Sequence, residues 1–256
     1  MEPNKKGLMI GVGLALVAAV GLGIYKMKPA PPPSAPPHPE PTPVSAAIPN
    51  APPSIVLPPL ADSDTWVRDR ARALSAHPGL ASWLGIEDLL RRFVAAAAIV
   101  ADGKSPRESL KFMKPESRFL VKKKGGKVIL DPACYSRYDL AAGVLASLNT
   151  ELAAGLVRDL KPLLNQAYSE LGREDREFEP VLVRAVDHLL RTPVPEGDLE
   201  LQKKVVSYAL ADERLENLSA AQKHLLRMGP ANASKVKTKL RAFALALGVP
   251  ENRLPK

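Results

Sequence analysis

Chemistry near neutral pH needs nucleophiles, bases, metal ligands or fixed cations, and this chain supplies the first three sparingly. It has one cysteine, Cys134, and four widely spaced histidines, His38, His77, His188 and His224. A single cysteine excludes an intramolecular disulfide framework and any multi-cysteine zinc or iron–sulfur site. Four scattered histidines offer no metal-ligand spacing, so neither a metal nor another cofactor is expected. Cys134 lies near Tyr135, Arg137 and Asp139, and a nearby arginine could lower a thiol pKa. With no histidine close by in sequence, it reads instead as a small buried apolar group. His188 shares a helix with Val181, Ala185 and Leu189, and its neighbour Asp187 points elsewhere on that helix. The sequence holds no phosphate-binding glycine loop, no nucleophile elbow and no H-E-x-x-H.

Two groupings of fixed charge remain. Arg137, Tyr138 and Asp139 form a polar triplet with two readings: a helix cap with an ion pair, or a catalytic or ligand-binding cluster. Lys122, Lys123, Lys124 and Lys127 crowd one short stretch. Within 104–127, nine cations face only Glu108 and Glu116. The net charge of +9 is spread as +2 over residues 1–60, +5 over 61–150, −5 over 151–200 and +7 over 201–256. If the cations converge, they attract nucleic acid, a phospholipid surface or an envelope polymer. If they do not, they are solvated faces, partly neutralised by the acidic segment with Glu174, Asp175, Glu177 and Glu179.

The elements that position these residues are expected to be mainly α. A first helix starts near Ser63, with Val67, Ala71 and Leu74 on one face, and stops before His77-Pro78-Gly79. A second runs from Ile86 to Asp102 with Ile86, Leu89, Leu90, Phe93, Val94, Ala97 and Val100 as its buried stripe and Gly103 as its cap. A long helix opens at Asn149 or Thr150 and ends at Gly172, kinked or broken by Pro162. Another surrounds Phe178, Val181, Leu182, Ala185 and Leu189, with Pro180 in its first turn. Three more are expected over 198–210, 219–228 and 232–247, with Ser219 and Asn232 as N-caps and Gly229-Pro230 between the last two. The exception is a short β-hairpin, Arg118–Lys123 and Lys127–Leu130 around Gly125-Gly126, whose lysine-rich edges resist strand-to-strand association. After it, Ser136 and Asp139 have the spacing of a capping-box variant opening a helix over 137–148.

Several segments of this region, in order, resemble a family of bacterial, membrane-anchored proteins built on a domain of unknown function. They are Phe112-Met113-Lys114-Pro115, Asp131-Pro132, Ser136-Arg137-Tyr138-Asp139 and Lys161-Pro162-Leu163-Leu164. Ala167-Tyr168-Ser169-Glu170-Leu171-Gly172, Leu189-Leu190-Arg191-Thr192-Pro193 and Leu226-Arg227-Met228-Gly229-Pro230 continue the match. The resemblance implies an architecture, namely an N-terminal transmembrane segment, a proline-rich linker and a helical domain, and carries no mechanism.

The N-terminal residues agree with that architecture. Residues 1–6 form a short cytoplasmic tail, and Gly7 to Tyr25 carry no charge. As a helix this stretch spans about 29 Å, against roughly 30 Å of bilayer hydrocarbon. Lys5 and Lys6 on one side, Lys26 and Lys28 on the other, and Tyr25 suit the two interfaces. Because Lys26-Met27-Lys28-Pro29 follows at once, an uncleaved anchor fits better than a signal peptide. The lysines nearly balance, and the α-amino group tips the N-terminus towards the cytoplasm. Small-xxx-small pairs, Gly7/Gly11 and Ala19/Gly23, allow two anchors to approach, which leaves a homo-oligomer open. Residues 26–60 form a disordered, proline-rich linker that reaches up to about 100 Å as polyproline II.

The expected architecture is therefore a single transmembrane helix, this linker, and a multi-helix globular domain with one β-hairpin over 61–256. The expected role is that of a non-enzymatic binding or scaffolding module for an envelope protein or anionic envelope polymer, periplasmic and held on the inner membrane. The contact residues are Lys122, Lys123, Lys124, Lys127, Arg137, Tyr138 and Asp139. The alternative is an enzyme acting on an envelope substrate near Arg137, Tyr138 and Asp139. Nucleic acid is disfavoured. Leu226–Pro230 lacks the second glycine of a helix-hairpin-helix, and no aromatic residues cluster with the lysines to stack single strands.

Overall fold

Apolar residues at helical spacing dominate the chain after residue 60, and the computed structural model is accordingly mainly helical with one small sheet. It describes residues 55–114, 119–173, 177–205 and 207–255, all within the unit Pro52–Lys256. The expected anchor over 7–25 and the expected linker up to residue 54 lie outside the described residues. In chain order the elements are α1 (Ser63–Ala71), α2 (Pro78–Trp83), α3 (Leu89–Ala101), β1 (Val121–Lys124), β2 (Lys127–Leu130), α4 (Asp139–Ser147), α5 (Thr150–Asp159) and α6 (Lys161–Ser169). They continue with α7 (Glu179–Leu190), β3 (Glu200–Lys203), β4 (Tyr208–Leu210), α8 (Glu213–Glu216), α9 (Ala220–Leu226) and α10 (Pro230–Ala246).

The main core forms where α3 packs against α6 and α7. Val94 and Ala98 of α3 meet Leu164, Ala167 and Tyr168 of α6 and Val181, Leu182 and Ala185 of α7. Phe178 sits among them at 1 % exposure, its ring 5.7 Å from that of Phe93 and 5.9 Å from that of Tyr168. Burying one such side chain stabilises the fold by about 1.5–3 kcal/mol. Leu60 is buried in this core and Leu57 packs against it, so the packed chain begins within the last residues of the proline-rich stretch. A second layer is α10, which crosses α4, α5 and α7.

Helix boundaries follow local capping. α3 begins three residues later than its apolar stripe suggests, because Asp88 takes a left-handed conformation at φ 58°. The Asp64 carboxylate of α1 accepts from the backbone N–H groups of Asp88 and Leu89 at 2.7 and 2.9 Å, capping α3 from outside. Pro162 breaks the long helix: α5 ends at Asp159 and α6 starts afresh with the proline in its first turn. Ser219 caps α9 through a full capping box with Gln222.

Three expectations fail. Residues 198–210 form no helix but the strands β3 and β4, which extend the hairpin into an antiparallel sheet of order β1-β2-β3-β4. The physical reason is alternation: Leu199 and Leu201 face the core while Glu200 and Gln202 do not, a period of two. Val128 pairs with Leu201 and Ile129 with Glu200, so β2 becomes an inner strand. Asn232 is not an N-cap. α10 starts two residues earlier at Pro230, and Asn232 is 3 % exposed, donating to the Tyr135 and Met228 carbonyls and to Asp139 Oδ1. Ser136 and Asp139 form no capping box. Pro132–Tyr138 is a 3-10 turn capped by Asp131, whose carboxylate accepts from the Ala133 N–H at 3.0 Å, and Ser136 Oγ donates to the Ala133 carbonyl.

Candidate anion-binding groove

The sheet and its neighbours enclose a small second core of Leu130, Cys134, Leu199, Leu201, Leu210 and Leu226. Above its edge opens a groove with a cavity volume of about 620 Å³, within the range of small-ligand sites. Four parts of the chain wall it. The loop after α3 supplies Arg107, and the 3-10 turn supplies Arg137 and Tyr138. β3 and the turn after it supply Leu201, Lys203 and Lys204, and α9 with its C-terminal cap supplies His224 and Arg227. Phe119, Tyr208, Leu130 and Leu210 complete an apolar floor, with the Phe119 and Tyr208 rings 6.1 Å apart.

Five fixed cations line the groove, and among the described residues no aspartate or glutamate does. None of Arg107, Arg137, Lys203, Lys204 and Arg227 makes an ion pair with a carboxylate among the described residues. Arg137 holds its guanidinium carbon 5.3 Å from the centroid of the Tyr138 ring. Its Nε is buried and has no hydrogen-bond acceptor among the described residues. An unpaired buried donor of this kind costs on the order of 1–3 kcal/mol. His224 feels the same charge. Burial first, then the positive charges of Arg107 and Arg227, push its imidazole down to about 4, so it is neutral at physiological pH.

Ser105 Oγ lies 2.7 Å from His224 Nε2, a distance compatible with a nucleophile and its base. A base with a pKa near 4 is too weak to deprotonate a serine effectively at neutral pH. The pair instead ties the loop after α3 to α9, alongside the backbone bond from Ala221 N–H to the Gly103 carbonyl. His188 acts similarly, with Nε2 2.7 Å from the Ser219 cap hydroxyl. Cys134 is 3 % exposed and accepts from the Leu120 N–H at 2.8 Å, holding the entry to β1 against the 3-10 turn.

The residues singled out by sequence separate in space. Arg137 and Tyr138 line the groove, whereas Asp139 turns to α10 and accepts from Asn232 Nδ2 at 2.8 Å. Lys122, Lys123, Lys124 and Lys127 lie exposed on the hairpin, where successive side chains take opposite faces. Lys124 pairs with Asp198 and Lys127 with Glu200, each at 2.7 Å, and these four lysines do not line the groove. Sequence reasoning did not single out Lys203, Lys204, His224 or Arg227 as one site. Arg107 was visible within the cation-rich stretch 104–127 and Arg227 within Leu226–Pro230. Lys203 and Lys204 were hidden inside the expected helix.

A mainly α domain carrying a four-stranded sheet and a basic groove is thus the class of molecule to be placed. The chain belongs to the family described as "Protein of unknown function (DUF3014)", whose model matches residues 89–244. That span takes in α3 through nearly all of α10, and with them every cation of the groove. Neither the curated proteins nor the solved structures contain a match to the chain.

Proposed function

We propose that this chain is a single-pass envelope protein of the inner membrane whose helical domain is a non-enzymatic binding module for an anionic envelope partner. The observation that carries this reading is the groove, with five fixed cations and, among the described residues, no carboxylate in its lining. Cations held together without neutralising partners repel one another, and an anion relieves that repulsion on binding. The lysine hairpin does not enter this reading, because its lysines lie outside the groove lining and two of them pair with Asp198 and Glu200. In this reading Gly7 to Tyr25 cross the bilayer, and the proline-rich stretch after them holds the domain in the periplasm, clear of the headgroups.

The test is capture of an anionic envelope polymer by the full chain in an uncharged detergent, across a salt series. Lys203→Gln/Lys204→Gln/Arg227→Gln is expected to lower retention about tenfold at low salt and to flatten the salt dependence, since exposed charges are screened within about 8–10 Å. Lys122→Gln/Lys123→Gln is expected to change retention less than twofold. Equal retention by the groove variant and the unaltered chain would refute the groove as the contact.

A further inference from the structure

Three arginines reach the groove from three separate segments: Arg107 after α3, Arg137 in the 3-10 turn and Arg227 at the end of α9. Such donors match an acceptor that offers oxygens in several directions. A planar carboxylate fills one guanidinium fork, whereas a tetrahedral phosphoryl group presents three oxygens to three donors. The buried Nε of Arg137 has no acceptor among the described residues, so this guanidinium is not committed to a protein partner through that atom. The combined formal charge of the five cations calls for more than one negative charge on the occupant. The floor, formed by Phe119, Tyr208, Leu130 and Leu210, is apolar. An inorganic anion alone leaves that surface wet.

Resting on the binding-module reading, we infer that the groove is a site for a phosphoryl-bearing ligand carrying at least two negative charges on an apolar or ring-containing body. The phosphoryl oxygens meet Arg107, Arg137 and Arg227, and the body lies along Tyr208 and Phe119. The same chemistry is offered by a soluble or polymer-borne phosphomonoester and by a phosphomonoester lipid headgroup.

The experiment is calorimetric titration of the full chain, reconstituted in phosphatidylcholine nanodiscs, with pyrophosphate, citrate and sulfate. Saturable binding of pyrophosphate is expected, at least about tenfold tighter than either competitor and weakened about tenfold by Arg137→Gln. Lys203→Gln/Lys204→Gln, on exposed side chains, is the second variant and is expected to weaken binding should Arg137→Gln fail to fold. Lys122→Gln/Lys123→Gln is expected to bind like the unaltered chain. Displacement of pyrophosphate by phosphatidic acid vesicles, but not by phosphatidylcholine vesicles, assigns the phosphoryl group to a lipid headgroup. No displacement assigns it to a soluble or polymer-borne phosphate, and both results uphold the site. Citrate binding as tightly as pyrophosphate, or equal losses in the groove and hairpin variants, overturns the inference. Absence of pyrophosphate binding with retained capture of anionic polymer removes this inference and leaves the binding module standing; loss of both removes both.

Discussion

At the scale of single residues, the groove's charge is written into His224. Its imidazole is held down to about 4 in the folded chain, by burial first and by Arg107 and Arg227 second, against an ordinary value of 6.5. Below about pH 6.5 the unfolded chain takes up a proton that the folded chain refuses. The neutral residue's contribution is therefore fully present above pH 6.5 and is lost progressively as pH falls towards 4. The groups that face it are Ser105 across the loop and the two arginines; Glu108 shares the loop with Arg107, and Glu216 lies near Arg227, yet the shift is set by burial and the two arginines. His224→Gln keeps a hydrogen-bonding side chain and removes the titration. Its melting temperature is expected to fall less steeply than that of the unaltered chain between pH 6.5 and pH 4.5. Parallel pH profiles in thermal melts of the two proteins would show that His224 does not titrate in this way.

At the scale of elements, the groove depends on how the 3-10 turn is clamped to the α9–α10 junction. Tyr135 of the turn packs its ring against Gly229, which sits at φ 81° between the two helices. Asn232 of α10 holds the same turn by the Tyr135 carbonyl and by Asp139 at its end. A Cβ at Gly229 collides with the Tyr135 ring, and the left-handed backbone adds strain for any residue but glycine. Gly229→Ala is expected to destabilise the domain by about 2–4 kcal/mol, read as a lowered denaturation midpoint. It should also weaken anion binding, because Arg137 lies two residues beyond Tyr135. A stability change under about 0.5 kcal/mol would show that the clamp is slack. This element level also explains what the sequence disclosed. The hairpin was legible because Gly125-Gly126 sits between two short runs, and the Pro162 break because a proline cannot donate within a helix. β3 and β4 were not legible. Their runs are short, Lys203-Lys204 and Ala209 are weak strand formers, and their conformation is set by the pairing of Leu201 with Val128. The site inherited that illegibility, since its cations stand at 107, 137, 203, 204 and 227, and the β2–β3 pairing, the tie of the loop after α3 to α9 and the Tyr135–Gly229 clamp together bring them to one opening.

At the scale of the whole molecule, a groove for anions means different things on the two sides of a membrane. Among the described residues no single helix is long and apolar enough to cross a bilayer, and the stretch proposed to do so is Gly7 to Tyr25. Two lysines flank it on each side, so the positive-inside preference barely distinguishes the two orientations. Orientation is therefore open to direct test. A reporter active only outside the cytoplasm, fused after Lys256, is expected to give signal, and one active only inside is expected to be silent. Deleting residues 1–28 is expected to move most of the chain out of the membrane fraction. An internal signal would refute the periplasmic assignment. The groove would then face cytosolic phosphate esters and nucleic acids, at whose concentrations a five-cation site without specificity would be occupied continuously. An external signal places the same cations among polymers and headgroups fixed to the envelope, where a tether of limited reach raises the effective concentration of one partner over free anions. Only in that setting does the spacer's length matter to the groove. Shortening it should then weaken capture of a membrane-bound anion in the envelope while leaving pyrophosphate affinity in nanodiscs unchanged.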